Sequence, residues 1–352
     1  MVSKKVKIGD KLIGEGEPCF VIAEAGSNHN RDFKQALKLI DVAVEARADA
    51  VKFQTYSAEF LYSKKTPKMS YLKKEKLTKE DESVWELIKR IEMPRAWHKD
   101  LSDYCQEKGI MFLSTPFDLQ AVDELEEVDM LAHKIASFEI THLPLLEYVA
   151  KTGKPIILST GMANLSDIET ALEVINKQGN EDVILLHCAI NYPAKYENLN
   201  LRAMQTMKQA FQLPVGFSDH TLGITSDIAA VALGANVIEK HYTLDRKLPG
   251  PDHPFALEPD ELRAMVQGIR DTEKALGSPI KRHTKDEEEM FHLARRGLVA
   301  ACHIPRGTKI TREMIEVKRP GLGIPTKMMD IVIGRTAMVD IEEDDILTWE
   351  MI

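Results

Sequence analysis

Cysteine is scarce in this chain of 352 residues: Cys19, Cys105, Cys188 and Cys302 lie far apart and form no CxxC pair. That spacing excludes a disulfide framework and a thiolate zinc site, and leaves reduced, mostly buried thiols as the expected state. Basic charge is also short, with 46 Lys and Arg against 55 Asp and Glu, for a formal net charge of -9. The balance argues against a nucleic-acid binder, while leaving room for a local positive pocket. No stretch approaches the ~20 apolar residues of a membrane helix, and the opening MVSKKVKIGDKLIG has no apolar core of signal-peptide length. The expectation is a cytoplasmic protein with a small-molecule partner, and with neither nucleic acid nor membrane. The first strand-to-helix turn, AEAGSNHN, lacks the GxGxxG pattern of a dinucleotide-binding sheet.

What is present is a repeated alternation. CFVIAEAG, AVKFQT, MFLSTPF, AHKIAS, PIILST, VILLHCA, PVGFSDH and VIEKHYT are apolar runs rich in Val, Ile and Leu, with helical patterns between them. Continuous apolar strands alternating with amphipathic helices indicate a parallel sheet covered by helices. Between the first two, Ala36, Leu37, Ile40, Ala43 and Val44 share one helical face. Ser166 with Glu169 reads as a capping box, Pro259 suits a first helical turn, and Gly277 suits a helix end. Eight such units between residues 20 and 277 match the roughly 250 residues of a (β/α)8 TIM barrel, an α/β fold. The long segment 56–83, dense in Lys and Glu, reads either as a solvated surface insertion or as a lid over the barrel mouth.

After Gly277 the polar stretch SPIKRHTKDEEEM precedes a tail of short strands with turns at Arg306-Gly307 and Pro320-Gly321. The expected organisation is a barrel over residues 1–280 that includes an N-terminal extension, a linker at 281–293 and a small β-rich domain at 294–352.

In such barrels the strands' C-terminal ends form the active site. Those ends carry Glu24, Ser27, Asn28 and His29; Lys52 and Gln54; Thr115; Lys134 and Ser137; Ser159; His187, Asn191 and Tyr192; Ser218 to His220; and Glu239 to His241. Any one of them is ordinary, since a strand-terminal hydroxyl or a lone His usually satisfies a backbone group. Converging in one small volume they are costly to bury without a ligand. His220 and His241 sit on neighbouring strands and suit either one shared divalent ion or a hydrogen-bonding, acid-base pair. Lys52, Lys134 and Lys240 beside Ser137, Ser159 and Ser218 suit a phosphate or carboxylate. A Schiff-base lysine of a class I aldolase is the rival reading, and a non-catalytic carbohydrate-binding protein is another.

The motifs IAEAGSNHN, AVKFQTY, FLSTPFD, KIAS, PIILSTGMA, LLHCAINYPA, GFSDHT, IEKHYTLDRKLPGPDHPFALEPDEL and VKRPGLG together resemble the sialic acid synthase family, which includes neuraminate, legionaminate, pseudaminate and spore coat polysaccharide types. The resemblance implies condensation of phosphoenolpyruvate with N-acetylmannosamine or a related N-acetyl hexosamine, giving a nine-carbon 2-keto sugar acid and phosphate. It implies a divalent metal, Mn2+ first and Mg2+ or Co2+ as alternatives, on His220 and His241. By the same likeness Lys52, Thr115, Lys134, Ser137, Ser159, Asn191 and Ser218 hold phosphoenolpyruvate, and Gln54, Tyr192 and Asp252 surround the sugar. Glu24 is the acid-base candidate, and joins Lys52, His220 and His241 as the catalytic set. The tail resembles an antifreeze-like SAF (β-clip) domain, which implies a domain-swapped homodimer with Arg319 meeting the sugar of the partner's site. Two positions depart from the pattern: Ile190 stands where some members carry Asn, and His253 stands where many pseudaminate synthases carry Ser.

Overall fold

A short antiparallel hairpin, β1 (Val6–Ile8) and β2 (Lys11–Ile13), places Val6, Ile8 and Ile13 in the core of the unit that follows. Each of the eight apolar runs then becomes a strand: β3 (Phe20–Gly26), β4 (Ala50–Thr55), β5 (Met111–Pro116), β6 (His133–Ile135), β7 (Ile156–Ser159), β8 (Val183–Cys188), β9 (Val215–Asp219) and β10 (Val237–His241). This is a computed structural model, and it describes residues 4–68 and 82–352. The hydrogen-bonded order is β5-β4-β3-β10-β9-β8-β7-β6, every ladder is parallel, and β5 lies beside β6 across the remaining seam. The result is a nearly closed TIM-like barrel. Strands covered on both faces need apolar residues on both faces, which is why the runs are continuous rather than alternating.

Helices cover the sheet between successive strands. In Phe33–Glu45 the side chains of Ala36, Leu39, Ile40 and Ala43 are buried, while Leu37 and Val44 pack from the edge of that face. Asp32 caps this helix by accepting from the backbone amides of Lys34 and Gln35. The capping box expected at Ser166 and Glu169 lies elsewhere: Asn164 is the cap of Leu165–Asn176, and Asp167 returns the hydrogen bond. The helix starts two residues earlier than that pairing needs, which puts Ser166 inside the first turn. Pro259 opens Pro259–Leu276 and Gly277 ends it at φ 48°.

The chain divides into two compact units, Met1–Gly277 and Ser278–Ile352. The second has its own apolar cluster, which includes Leu298, Ile304, Ile315, Ile324, Ile341 and Leu347. Its antiparallel pair, β11 (Gly297–Ala300) and β12 (Ile315–Lys318), is supplemented by isolated bridges, as short strands with frequent turns would give. Span 281–293, expected as a linker, holds a helix at Glu288–Leu293. Of the insertion at 56–83, Ala58–Leu61 is helical, and residues 69–81 lie outside the described residues, so the lid reading rests on a segment that includes them. No helix among the described residues is long and apolar enough to cross a membrane.

Candidate active site

Side chains alternate along a strand, so the last inward positions of β3 to β10 meet at one end of the barrel. Two residues deeper on the same parity lie Ile22, Leu113, Ile157, Leu186 and Val237, all fully buried, which close the barrel beneath. Above them opens a cavity of about 490 Å³. Thirteen residues expected at the site line it: Glu24, Lys52, Gln54, Thr115, Lys134, Ser137, Ser159, Asn191, Tyr192, Ser218, His220, His241 and Asp252.

Its floor is a buried charge network. Lys52 Nζ lies 3.0 Å from Glu24 Oε2 and 3.6 Å from Glu239 Oε2, and donates to Thr115 Oγ1 at 3.1 Å. Lys134 Nζ lies 3.6 Å from Glu239 Oε1 and donates to Ser159 Oγ at 2.8 Å. Ser218 Oγ donates to the same Glu239 oxygen at 3.1 Å, and Gln54 Nε2 donates to Glu24 Oε1 at 2.6 Å. Glu239 therefore bridges the two ammonium groups. Burial opposes its charge, but Lys134 and Lys52 outweigh burial and hold its carboxyl below the usual range. Burial also opposes the Lys52 charge, and Glu239 and Glu24 outweigh it and raise that pKa. Lys134 is lowered by burial, which Glu239 offsets only in part. Glu24 is pushed up to about 7, chiefly by burial and against the pull of Lys52. A carboxyl poised there can both give and take a proton near neutral pH.

The two histidines face each other with ring centroids 5.4 Å apart. His220 Nδ1 lies 3.2 Å from the Ala189 carbonyl, and donating there leaves Nε2 with the lone pair. His241 is held neutral by burial and by His220, and its buried Nδ1 has no hydrogen-bond partner. Burial opposes a charge on His220, but the Cys188 thiol and the Ala189 carbonyl outweigh it and raise that pKa; adjacent imidazoles, each deprotonated as it binds, are the donor set a divalent cation takes. Among the described residues no group of three or more His, Cys, Asp or Glu forms a metal cage, so such an ion would keep most of its positions for water or substrate. Beside them Asp252 accepts from Ser27 N and Oγ at 3.2 and 2.9 Å. Gly26, at φ 51°, permits that approach: a Cβ there would stand 2.9 Å from Asp252 Oδ2.

Several expectations are corrected. Lys240 does not face the mouth: lying between Glu239 and His241, it points to the opposite side of β10, where it pairs with Asp219, lies 3.5 Å from Asp227 and donates to the Thr221 carbonyl at 2.8 Å. A lysine bound by two buried carboxylates is no Schiff-base nucleophile. His187 turns away for the same reason of parity and bonds the Leu199 carbonyl. Asn28 donates to the Tyr242 carbonyl, and His29 packs on Phe53 and Trp97, so both are structural. Ser137 accepts from the Gly161 amide at 2.9 Å, combining the backbone role with a place in the cavity. Arg319 belongs to the second unit, where its Nε donates to the Ala294 carbonyl at 2.7 Å.

Two acidic residues were given no role by the strand-end reading. Glu239 stands among those ends and proves to be the hub. Glu139, in the single turn Ser137–Glu139, lines the cavity with a buried, unpartnered Oε2. The rim supplies an apolar wall of Leu61, Tyr62, Leu87, Ile88, Ile91 and Phe117.

A TIM barrel with polar strand ends gathered round one cavity defines an enzyme of the barrel class, carrying here a small β-rich second unit. Residues 39–281 match the NeuB family and residues 295–352 the SAF domain, and the chain belongs to the NeuB family. It is 45% identical to the N,N'-diacetyllegionaminic acid synthase of Campylobacter jejuni, over 93% of this chain and 98% of that one. It is 34% identical to the human N-acetylneuraminate-9-phosphate synthase, over 97% and 95%. The crystal structure of the Bacillus subtilis spore coat polysaccharide biosynthesis protein SpsE superposes with a TM-score of 0.67, 40% identity and 99% coverage of both chains. The protein is thus a synthase of this family.

Proposed function

We propose that the protein condenses phosphoenolpyruvate with the open-chain form of an N-acetyl hexosamine of the N-acetylmannosamine type, releasing phosphate and forming a nine-carbon 2-keto sugar acid. The observation that carries the reading is the pairing of Lys52 and Lys134 across Glu239 beside the adjacent rings of His220 and His241. Phosphate and carboxylate oxygens meet the two ammonium groups and the hydroxyls of Thr115, Ser137, Ser159 and Ser218, which fix the enol in one orientation. Asn191 adds an amide at the exposed edge. Gln54, Tyr192 and Asp252 border the sugar.

A divalent cation on His220 and His241, manganese first with magnesium or cobalt as alternatives, would supply Lewis-acid polarisation of the sugar aldehyde. The enol carbon forms the new bond to the aldehyde carbon, whose oxygen takes a proton. Water then adds at C2, and the tetrahedral centre collapses with cleavage of the C–O bond to phosphate. Glu24, lying 3.0 Å from Lys52 and titrating near neutrality, is placed to move one of these protons.

The test is phosphate release from phosphoenolpyruvate with and without sugar. Release that requires sugar, stops in EDTA and resumes with manganese supports the reading. His220→Ala and His241→Ala each lose at least about 10²-fold in kcat, the scale on which one electrostatic contact to a reacting oxygen acts. Turnover that survives chelation, with a borohydride-trapped adduct on Lys134, identifies an aldolase instead. We further propose that the SAF unit completes the barrel site of a second copy, with Arg319 meeting the N-acetyl sugar there.

A further inference from the structure

The two histidines are oriented by different means. His220 has a hydrogen bond, from Nδ1 to the Ala189 carbonyl at 3.2 Å, and the Tyr192 ring packs on it with centroids 4.5 Å apart. His241 has no such anchor at Nδ1, which is buried without a partner. A ring free to turn about its side-chain bonds points its nitrogens at a shared ion only part of the time, so the pair needs another hold on His241. Phe255 supplies it. Its ring meets His241 edge-on with centroids 5.1 Å apart and an interplanar angle of 64°, and meets His220 edge-on at 6.3 Å and 80°. It also packs on Tyr192 at 5.4 Å. These separations lie in the range of about 4.5–7 Å over which aromatic rings attract. Phe255 is buried and stands outside the cavity wall that the imidazoles line. Bare backbone at Gly26 lets the chain close on the same ring, since a Cβ there would stand 3.2 Å from His241 Cε1.

Phe255 is itself fixed to the strand it supports. It ends the single turn His253–Phe255, in which His253 Nδ1 lies 2.6 Å from Thr243 Oγ1. Two residues on, Leu257 N donates to the His241 carbonyl and Thr243 N donates to the Leu257 carbonyl, both at 2.9 Å. Between them the Ala256 carbonyl accepts from Arg246 Nε at 2.9 Å. The backbone that carries Phe255 is therefore hydrogen-bonded to the backbone that carries His241, and the two rings keep one spacing.

We propose that Phe255 is a positioning residue, which holds the ring of His241 against that of His220 so that both imidazoles stand ready for one divalent ion. The inference rests on the metal of the proposed function and adds to it the side chain that aims its ligands.

The experiment titrates the full-length protein, stripped by chelator and desalted, with manganese, and reads free Mn2+ from its electron paramagnetic resonance signal. Phe255→Ala is expected to weaken Mn2+ binding by about 10-fold or more, the loss typical when the support of a metal-bound histidine is removed. Phe255→Leu, which keeps apolar volume but no flat ring, is expected to lose a smaller part of the affinity. Ile269→Ala opens a cavity in the buried face of the covering helix Pro259–Leu276 and is expected to bind Mn2+ as the wild type does. Wild-type affinity in either folded Phe255 variant overturns the inference and leaves the synthase standing. An equal loss in Ile269→Ala also overturns it, because any packing defect would then act alike. Where Phe255→Ala fails to fold, Phe255→Leu decides. A wild type that binds no Mn2+ overturns the inference together with the metal, and sugar-dependent phosphate release then judges the synthase reading by itself.

Discussion

Glu139 shows what a single side chain costs the barrel. Its carboxyl is buried with one oxygen unpartnered, and burial, opposed by Lys134, moves its pKa from the usual 4.5 up to about 7. A folded-state pKa raised above the unfolded one means that the contribution to stability is full below about 4.5 and is lost as pH rises through about 7. Glu139→Gln, which carries no charge at any pH, should therefore melt progressively higher than the wild type as pH is raised across that window. Thermal unfolding of both proteins at several pH values checks it, and a constant difference would place the residue in solvent. Glu139 is invisible to a reading of strand ends because it lies in a turn two residues past Ser137, where no periodicity marks direction. Glu239 is a different kind of miss: its position is plain from the sequence, but its role as bridge between Lys52 and Lys134 depends on three strands meeting in register.

At the scale of elements, β9 and β10 use their two faces for different work. Ser218, His220, Glu239 and His241 face the cavity, while Asp219 and Lys240 face the covering helix Thr225–Ala232, where Asp227 joins them. Thr221 and Ser226 hydroxyls both donate to Asp219, so the cluster clamps the helix to the strand ends that present the histidines. Lys240→Met leaves Asp219 buried without its countercharge and should cost about 3–5 kcal/mol. Adding Asp219→Asn to that variant should recover part of the loss, and urea unfolding of the two single variants and the double one measures the coupling. Additive losses would mean the pair contributes nothing as a pair. The eight strands are legible in the sequence because burial on both faces makes them continuous apolar runs. That same continuity hides which residues face inward until a polar end appears. At VIEKH the ends do show it: if Glu239 and His241 point into the barrel, period-two alternation sends Lys240 out. The apolar wall is illegible for another reason, since Leu61 and Ile88 come from short helices on either side of a polar stretch.

For the whole molecule, the two units have separate apolar cores with no residue in common. A tail of this size is marginal as a free-standing fold, and its retention beside a barrel with its own core calls for a reason beyond stability. If the tail completes the site of a second copy, loss of Arg319 should act on the sugar and spare phosphoenolpyruvate. Arg319→Ala should raise the KM for the sugar by about 10-fold or more, the loss expected when a charged hydrogen bond is removed, with the KM for phosphoenolpyruvate little changed. Mixing separates exchange between chains from closure within one chain. His241→Ala carries a defective barrel and a sound tail, and Arg319→Ala the reverse. When the two are co-expressed in equal amounts, half of the dimers are mixed, and with swapped tails each mixed dimer holds one site in which both parts are sound. At low sugar concentration about a quarter of the wild-type activity should return, although neither variant alone approaches it. Without exchange every site keeps one defect and no activity returns, and unchanged sugar kinetics in Arg319→Ala would take the tail out of the site altogether.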